Sequence, residues 1–129
     1  MLPVVHRLRR SNEFTAVFRS GRRGGTRTMV IHLLPSTRLG PPRAGFVVSG
    51  KIGNSVVRHR ITRRLRPLVW QRLPLLPDGT DLVVRALAPA STASSPELEA
   101  DLDAGVGVAA RRAGIRLGAP AAETPGVPS

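Results

Sequence analysis

Lys51 to Arg66 carry one lysine and five arginines in sixteen residues, with no acid among them. Charge this dense is not balanced internally, so the stretch needs open water or a polyanion. Each arginine offers a planar fork that matches phosphate oxygens and stacks on bases. The chemistry these side chains can do is therefore recognition of phosphate rather than bond-making. Nothing beside them resembles a hydrolase centre. There is no cysteine, and no carboxylate pair, serine environment for nucleophilic attack or metal-ligand cluster accompanies the basic run. No catalytic residue and no metal site are expected on the protein.

The spacing predicts a helix to carry this run. At about 100° per residue, Ile61, Leu65, Leu68 and Val69 fall within about 120° of Val57, a core-facing stripe. His59, Arg60, Arg63 and Arg66 fall on the far side. Asn54 is the expected N-cap. Pro67 lacks a donor and crowds the carbonyl of Arg63, so a kink or helix end is expected close to Arg66.

The flanking segments read as the frame for that helix. Ser11 is placed as cap of a short helix over about 12–20, with Phe14, Val17 and Phe18 at helical spacing and Gly21 as its stop. The spacing of Phe14 and Phe18 fits two roles: pinning the helix to the core, which spacing alone favours, or stacking a ring on a base in a groove. Residues 21–27 read as a basic connector. Thr28–Leu34 and Arg43–Ser49 read as strands forming a hairpin across the Gly-Pro-Pro turn, with His32 in the first as a partner-facing or core ring. Asp81–Leu87 is a further strand, reached through the basic helix. Ser95, as cap, and Pro96, at the first position, open a last helix with Leu98, Leu102, Val106 and Ala109 on its apolar side and Gly105 and Gly107 weakening it. Helix, hairpin, helix, strand, helix gives an α+β fold, a small two-layer sandwich with helices packed on one sheet. A single domain over 1–117 is expected, with a disordered Pro/Ala/Gly tail at 118–129.

Composition sharpens the partner class. The formal charge of +12 in 129 residues is uneven, with +15 on residues 1–77 and −3 on residues 78–129. An arginine-rich genome would raise the charge without dividing it this way; clustered cations are the footprint of a nucleic-acid binder. No secretory or membrane-spanning apolar run stands out, so a cytoplasmic protein without a membrane partner is expected.

The ordered series Lys51-x-Gly53-Asn54-x-Val56-x-Arg58-x-Arg60, with Arg63, Arg64 and Arg66 beyond it, resembles the signature of the bacterial ribonuclease P protein subunit. The resemblance runs over roughly residues 6–114. It takes in His6-Arg7-Leu8, Phe14-x-x-x-Phe18-x-x-Gly21, Ala44 to Ser49, Val83-Val84-Arg85 and Pro89-Ala90. It implies an α-β-β-β-α-β-α order with a left-handed β-α-β crossover around the arginine helix. It also implies a role beside a large catalytic RNA that removes the 5′ leader of precursor tRNA using magnesium ions held mainly by the RNA. By matching position, Lys51, Asn54, Arg58, His59, Arg60, Arg63, Arg64 and Arg66 would face RNA. Phe14, Phe18, His32, Phe46 and Ser49 would line or border a cleft for the leader. His59 stands where the motif usually has asparagine, and His32 where an aromatic is usual. The implied partners are ribonuclease P RNA and precursor tRNA, with no obligate protein partner.

Two other classes fit parts of the pattern. A ribosomal-type protein packing between rRNA helices would share the charge. A DNA-binding helix-turn-helix protein is disfavoured, because strands flank the basic helix and no partner helix precedes it by a short turn.

Overall fold

A four-stranded sheet in the order β1-β2-β4-β3 forms the centre of the molecule. Its strands are β1 (Arg22–Gly25), β2 (Met29–Leu34), β3 (Arg43–Val47) and β4 (Asp81–Ala86). The helices are α1 (Ser11–Ser20), α2 (Ser55–Arg72) and α3 (Ser95–Ala113), so the elements run α-β-β-β-α-β-α. The computed structural model describes residues 3–118. The predicted tail therefore lies outside the described residues except for Gly118, whose N–H donates to the carbonyl of Leu75 at 2.8 Å.

The α+β class holds, and the pairing of its strands differs from the expected hairpin. β2 and β3 do not touch; β4 lies between them, antiparallel to β2 and parallel to β3. The true hairpin is β1–β2, with Arg22 opposite Leu33 and Gly25 opposite Val30. The segment read as a connector at 21–27 is thus largely an edge strand. Its glycines and arginines hide the strand signal because only Gly24 is buried. β4 reads as a strand at once because it is buried along nearly its whole length, as a central strand must be.

One face of the sheet carries the main core. Met29, Ile31, Leu33, Leu82 and Val84 meet Ile61, Leu65 and Val69 of α2 and Leu98, Leu102 and Val106 of α3 there. α1 lies across the opposite face, where Val17 and Leu8 enclose Val83 with Phe14 packed against them. Helix α1 begins one residue early, at Ser11, so the expected cap is its first helical residue. The exposed backbone donors of this end are met by Glu13, whose Oε1 accepts from the N–H groups of Arg9 (2.8 Å) and Arg10 (2.9 Å). In α3 the cap is Ser94 rather than Ser95. Its hydroxyl accepts from Glu97 N–H while Glu97 accepts from Ser94 N–H, a reciprocal pair that fixes the start.

Pro67 neither ends α2 nor splits it. The helix runs unbroken from Ser55 to Arg72. A proline in a helix interior costs about 3 kcal/mol. Val69 and Leu73 beyond it are fully buried, worth about 1.5–3 kcal/mol each. Arg72 adds ion pairs to Glu99 (2.6 Å) and Asp103 (2.8 Å) of α3. Pro67 and Arg63 lie on the exposed side, where water can satisfy the carbonyl that loses its partner. Burial wins.

Glu13 gives the fold an acid-sensitive contact. Its carboxyl is held below its ordinary value of 4.5, first by the backbone N–H groups of Arg10 and Arg9 and then by Arg43. A carboxyl whose folded pKa is depressed stabilises fully above its unfolded value, and that contribution is lost as pH falls through the folded one. Glu97 is lowered in the same direction by Ser94. Wild-type stability is expected to fall as pH drops below about 4.5. Urea titrations at several pH values should show a shallower fall in Glu13→Gln, and an unchanged slope would remove Glu13 from the account.

Candidate functional site

The N-cap predicted for α2 is present: Asn54 Oδ1 accepts from Val57 N–H at 3.0 Å. That commits the Asn54 side chain to starting the helix. Just before it, Ser49 Oγ accepts from Lys51 N–H at 3.1 Å and its carbonyl accepts from Ile52 N–H. Ser49 therefore shapes the turn that launches the helix.

The cations of α2 divide into three directions. Arg64 points toward α3 and donates to the carbonyl of Ala93 at 2.9 Å and to Ser95 Oγ at 3.2 Å, joining the two helices. Arg58 turns toward β3, where its Nε donates to the carbonyl of Val48 at 3.0 Å. Arg60 and Arg63 point outward, and with Lys51, His59 and Arg66 they make no side-chain hydrogen bond or ion pair among the described residues. Those five side chains are available to a partner.

A cleft of about 470 Å³ opens between α2 and the edge strand β3. Arg58, His59, Thr62 and Arg66 form its α2 wall. Leu8, Phe14, Ala44, Gly45 and Phe46 supply its apolar lining, and Arg7 lines it too. Phe14 can lie there because Gly45 has no side chain: a Cβ at that position would sit 2.4 Å from the Phe14 ring. Cations on one side and aromatic rings on the other are the two kinds of group that a nucleotide strand uses. Among the described residues no carboxylate lines this cleft, a donor set that does not fit magnesium. Among the described residues no group of three or more His, Asp or Glu could hold a metal ion.

The structure thus brings Phe14, Phe46, Arg58, His59 and Arg66 together and leaves other expected site residues elsewhere. Phe18 is 41 % exposed and packs from α1 edge-on to His32 of β2, with ring centres 4.8 Å apart. His32 is buried beneath it at 5 % exposure, and its Nε2 has no hydrogen-bond partner. Burial first, then Arg85 and Arg23, push the His32 pKa down, so the ring is neutral at pH 7. Phe14 packs on the α1-side core, as its spacing favours, and also lines the cleft.

Arg7 and Leu8 were missed as cleft residues. Leu8 N–H donates to the carbonyl of Ala44 at 2.9 Å, so the lead-in runs alongside β3. His6 holds it there through Nδ1, 2.9 Å from the Pro42 carbonyl, and through an edge contact with Trp70 at 5.1 Å. A lone leucine amid arginines was the available signal.

Comparison with known proteins adds a lineage to this geometry. The family model described as Ribonuclease P matches residues 2–110. The ribonuclease P protein component of Kocuria rhizophila is 48 % identical over 112 residues, covering 87 % of this chain and 98 % of that one. That of Rhodococcus jostii is 46 % identical over 112 residues, covering 82 % and 90 %. Among solved structures, the RNase P protein of Staphylococcus aureus superposes with a TM-score of 0.73 at 23 % identity, covering 81 % of this chain and 94 % of that one. That of Thermotoga maritima gives 0.67 at 22 % identity, covering 81 % and 96 %. These two likenesses bear on the fold alone.

Proposed function

Because the chain belongs to the ribonuclease P protein family, we propose that it is the protein subunit of a tRNA-processing ribonucleoprotein in which RNA does the chemistry. It binds the ribonuclease P RNA through α2, holds the single-stranded 5′ leader of precursor tRNA, and supports magnesium-dependent removal of that leader. The observation that carries this reading is the cleft in which Phe14 and Phe46 face Arg58, His59 and Arg66. Stacking faces beside guanidinium groups suit a strand whose bases are free, as leader bases are and duplex bases are not. In this reading the magnesium ions are held by the RNA, since the cationic lining offers them no carboxylate ligand. No helix among the described residues is long and apolar enough to cross a membrane.

Reconstitution tests the reading. Adding the protein to its cognate RNA should raise leader cleavage at low magnesium, while the protein alone should cleave nothing. Cleavage by protein alone would sink the RNA-catalyst model. Recovery from cells with intact ribosomal subunits, rather than with one stable RNA, would instead assign a ribosomal role.

Arg60 and Arg63 give the residue-level prediction. Each Arg→Ala change is expected to weaken RNA binding and lower the slope of log affinity against log salt by about one. A slope equal to wild type would mean that these side chains face only solvent.

A further inference from the structure

A second cleft, of about 380 Å³, lies at the N-terminal end of α1, and Arg7 lines it as well as the first. We infer that this second cleft binds the phosphate backbone of RNA and extends the α2 cleft around the end of β3. Arg9, Arg10, Arg38 and Arg43 also line it. Among the described residues the only acid in its lining is Glu13, already committed to the backbone of Arg9 and Arg10 and to Arg43 at 2.9 Å. Beneath it, Asp81 is occupied by Arg38 (3.1 Å) and Arg43 (2.8 Å).

Arg7, Arg9 and Arg10 are exposed, and their side chains make no hydrogen bond or ion pair among the described residues. Three unpaired guanidinium groups on four consecutive positions thus face one concavity whose carboxylate is taken. Their neighbours are apolar and open: Leu39 is 94 % exposed, Val5 61 % and Val4 51 %. Exposed apolar side chains between free cations match a strand that presents both phosphates and base faces. Continuity through Arg7 with the α2 cleft favours RNA over an acidic peptide. The strand is either the distal part of the leader or a segment of the ribonuclease P RNA.

This inference rests on the RNA-binding role proposed above, and the experiment separates the two. The full-length Arg9→Ala/Arg10→Ala variant is compared with wild type and with Arg111→Ala/Arg116→Ala, which removes the same charge from exposed positions outside both clefts. The probes are the ribonuclease P RNA alone, and precursor tRNAs with short and long leaders bound to the assembled holoenzyme. The Arg9/Arg10 variant is expected to lose roughly ten- to thirty-fold in affinity near physiological salt and about 1.5–2 from the salt slope. The control is expected to match wild type. Loss confined to the long-leader precursor assigns the cleft to the leader; loss toward the RNA alone assigns it to that RNA. Thermal melts of both variants should match wild type, since the altered side chains hold nothing in the fold. If the Arg9/Arg10 variant binds like the control while wild type binds RNA normally, the second cleft is not an RNA site. If wild type binds neither RNA, the proposed function itself fails.

Discussion

Asp81→Ala is expected to lower stability by about 3–5 kcal/mol in urea unfolding. Asp81 opens the central strand, and its side chain is only 11 % exposed. Its Oδ1 accepts from Arg43 Nε at 2.9 Å and from Arg38 at 3.1 Å, while Oδ2 accepts from Arg43 at 2.8 Å. Deleting the carboxylate leaves two half-buried guanidinium groups beside each other. Glu13 reaches one of them, Arg43, and not Arg38. For a domain whose whole stability is of the order of 5–15 kcal/mol, the loss is a large fraction. Asp81→Asn keeps one acceptor in place and is expected to lose less. A loss within about 1 kcal/mol for the alanine variant would class the cluster with ordinary surface ion pairs.

Gly24→Ala is expected to cost about 3 kcal/mol, while Gly25→Ala beside it stays within about 0.5 kcal/mol of wild type. A Cβ on Gly24 would lie 2.3 Å from the Gly105 carbonyl oxygen and 3.0 Å from the Ala109 nitrogen, both backbone atoms of α3. Backbone in a packed helix cannot rotate away, so α3 must lift from the sheet. At Gly25 a Cβ would meet nothing within 4 Å. Thermal melts of the two variants check the contrast, and equal losses would point to strand propensity instead of the close approach of α3.

The same pair of glycines marks where sequence reading stopped. Gly24 looked like slack in a connector and Gly105 like a flaw in a helix. Neither looks like a contact until the other is placed against it. Such a contact joins positions eighty-one apart, and no local pattern carries that information. What is local was legible: the Ile61–Leu65–Val69 stripe, the Asn54 cap, and the apolar runs of β2 and β4 all stand where spacing predicts. Strand pairing was not, because a hairpin and a slot filled later by β4 place the same residues in strands. The α2 wall of the cleft was visible as charge. Its division was not: Arg64 and Arg72 resemble their neighbours in sequence but spend their guanidinium groups on α3.

The position of β4 between β2 and β3 also governs the order in which the chain can assemble. While only residues up to Arg72 exist, β1 and β2 can close as a hairpin, but β3 has no sheet to join. The gap is filled only when Asp81–Ala86 arrives, after α2 has already been made. Pairing across such separations is entropically slow. During synthesis the most basic part of the molecule is therefore completed before the strand that fixes it in place, and the emerging chain carries its concentrated positive charge ahead of its finished core.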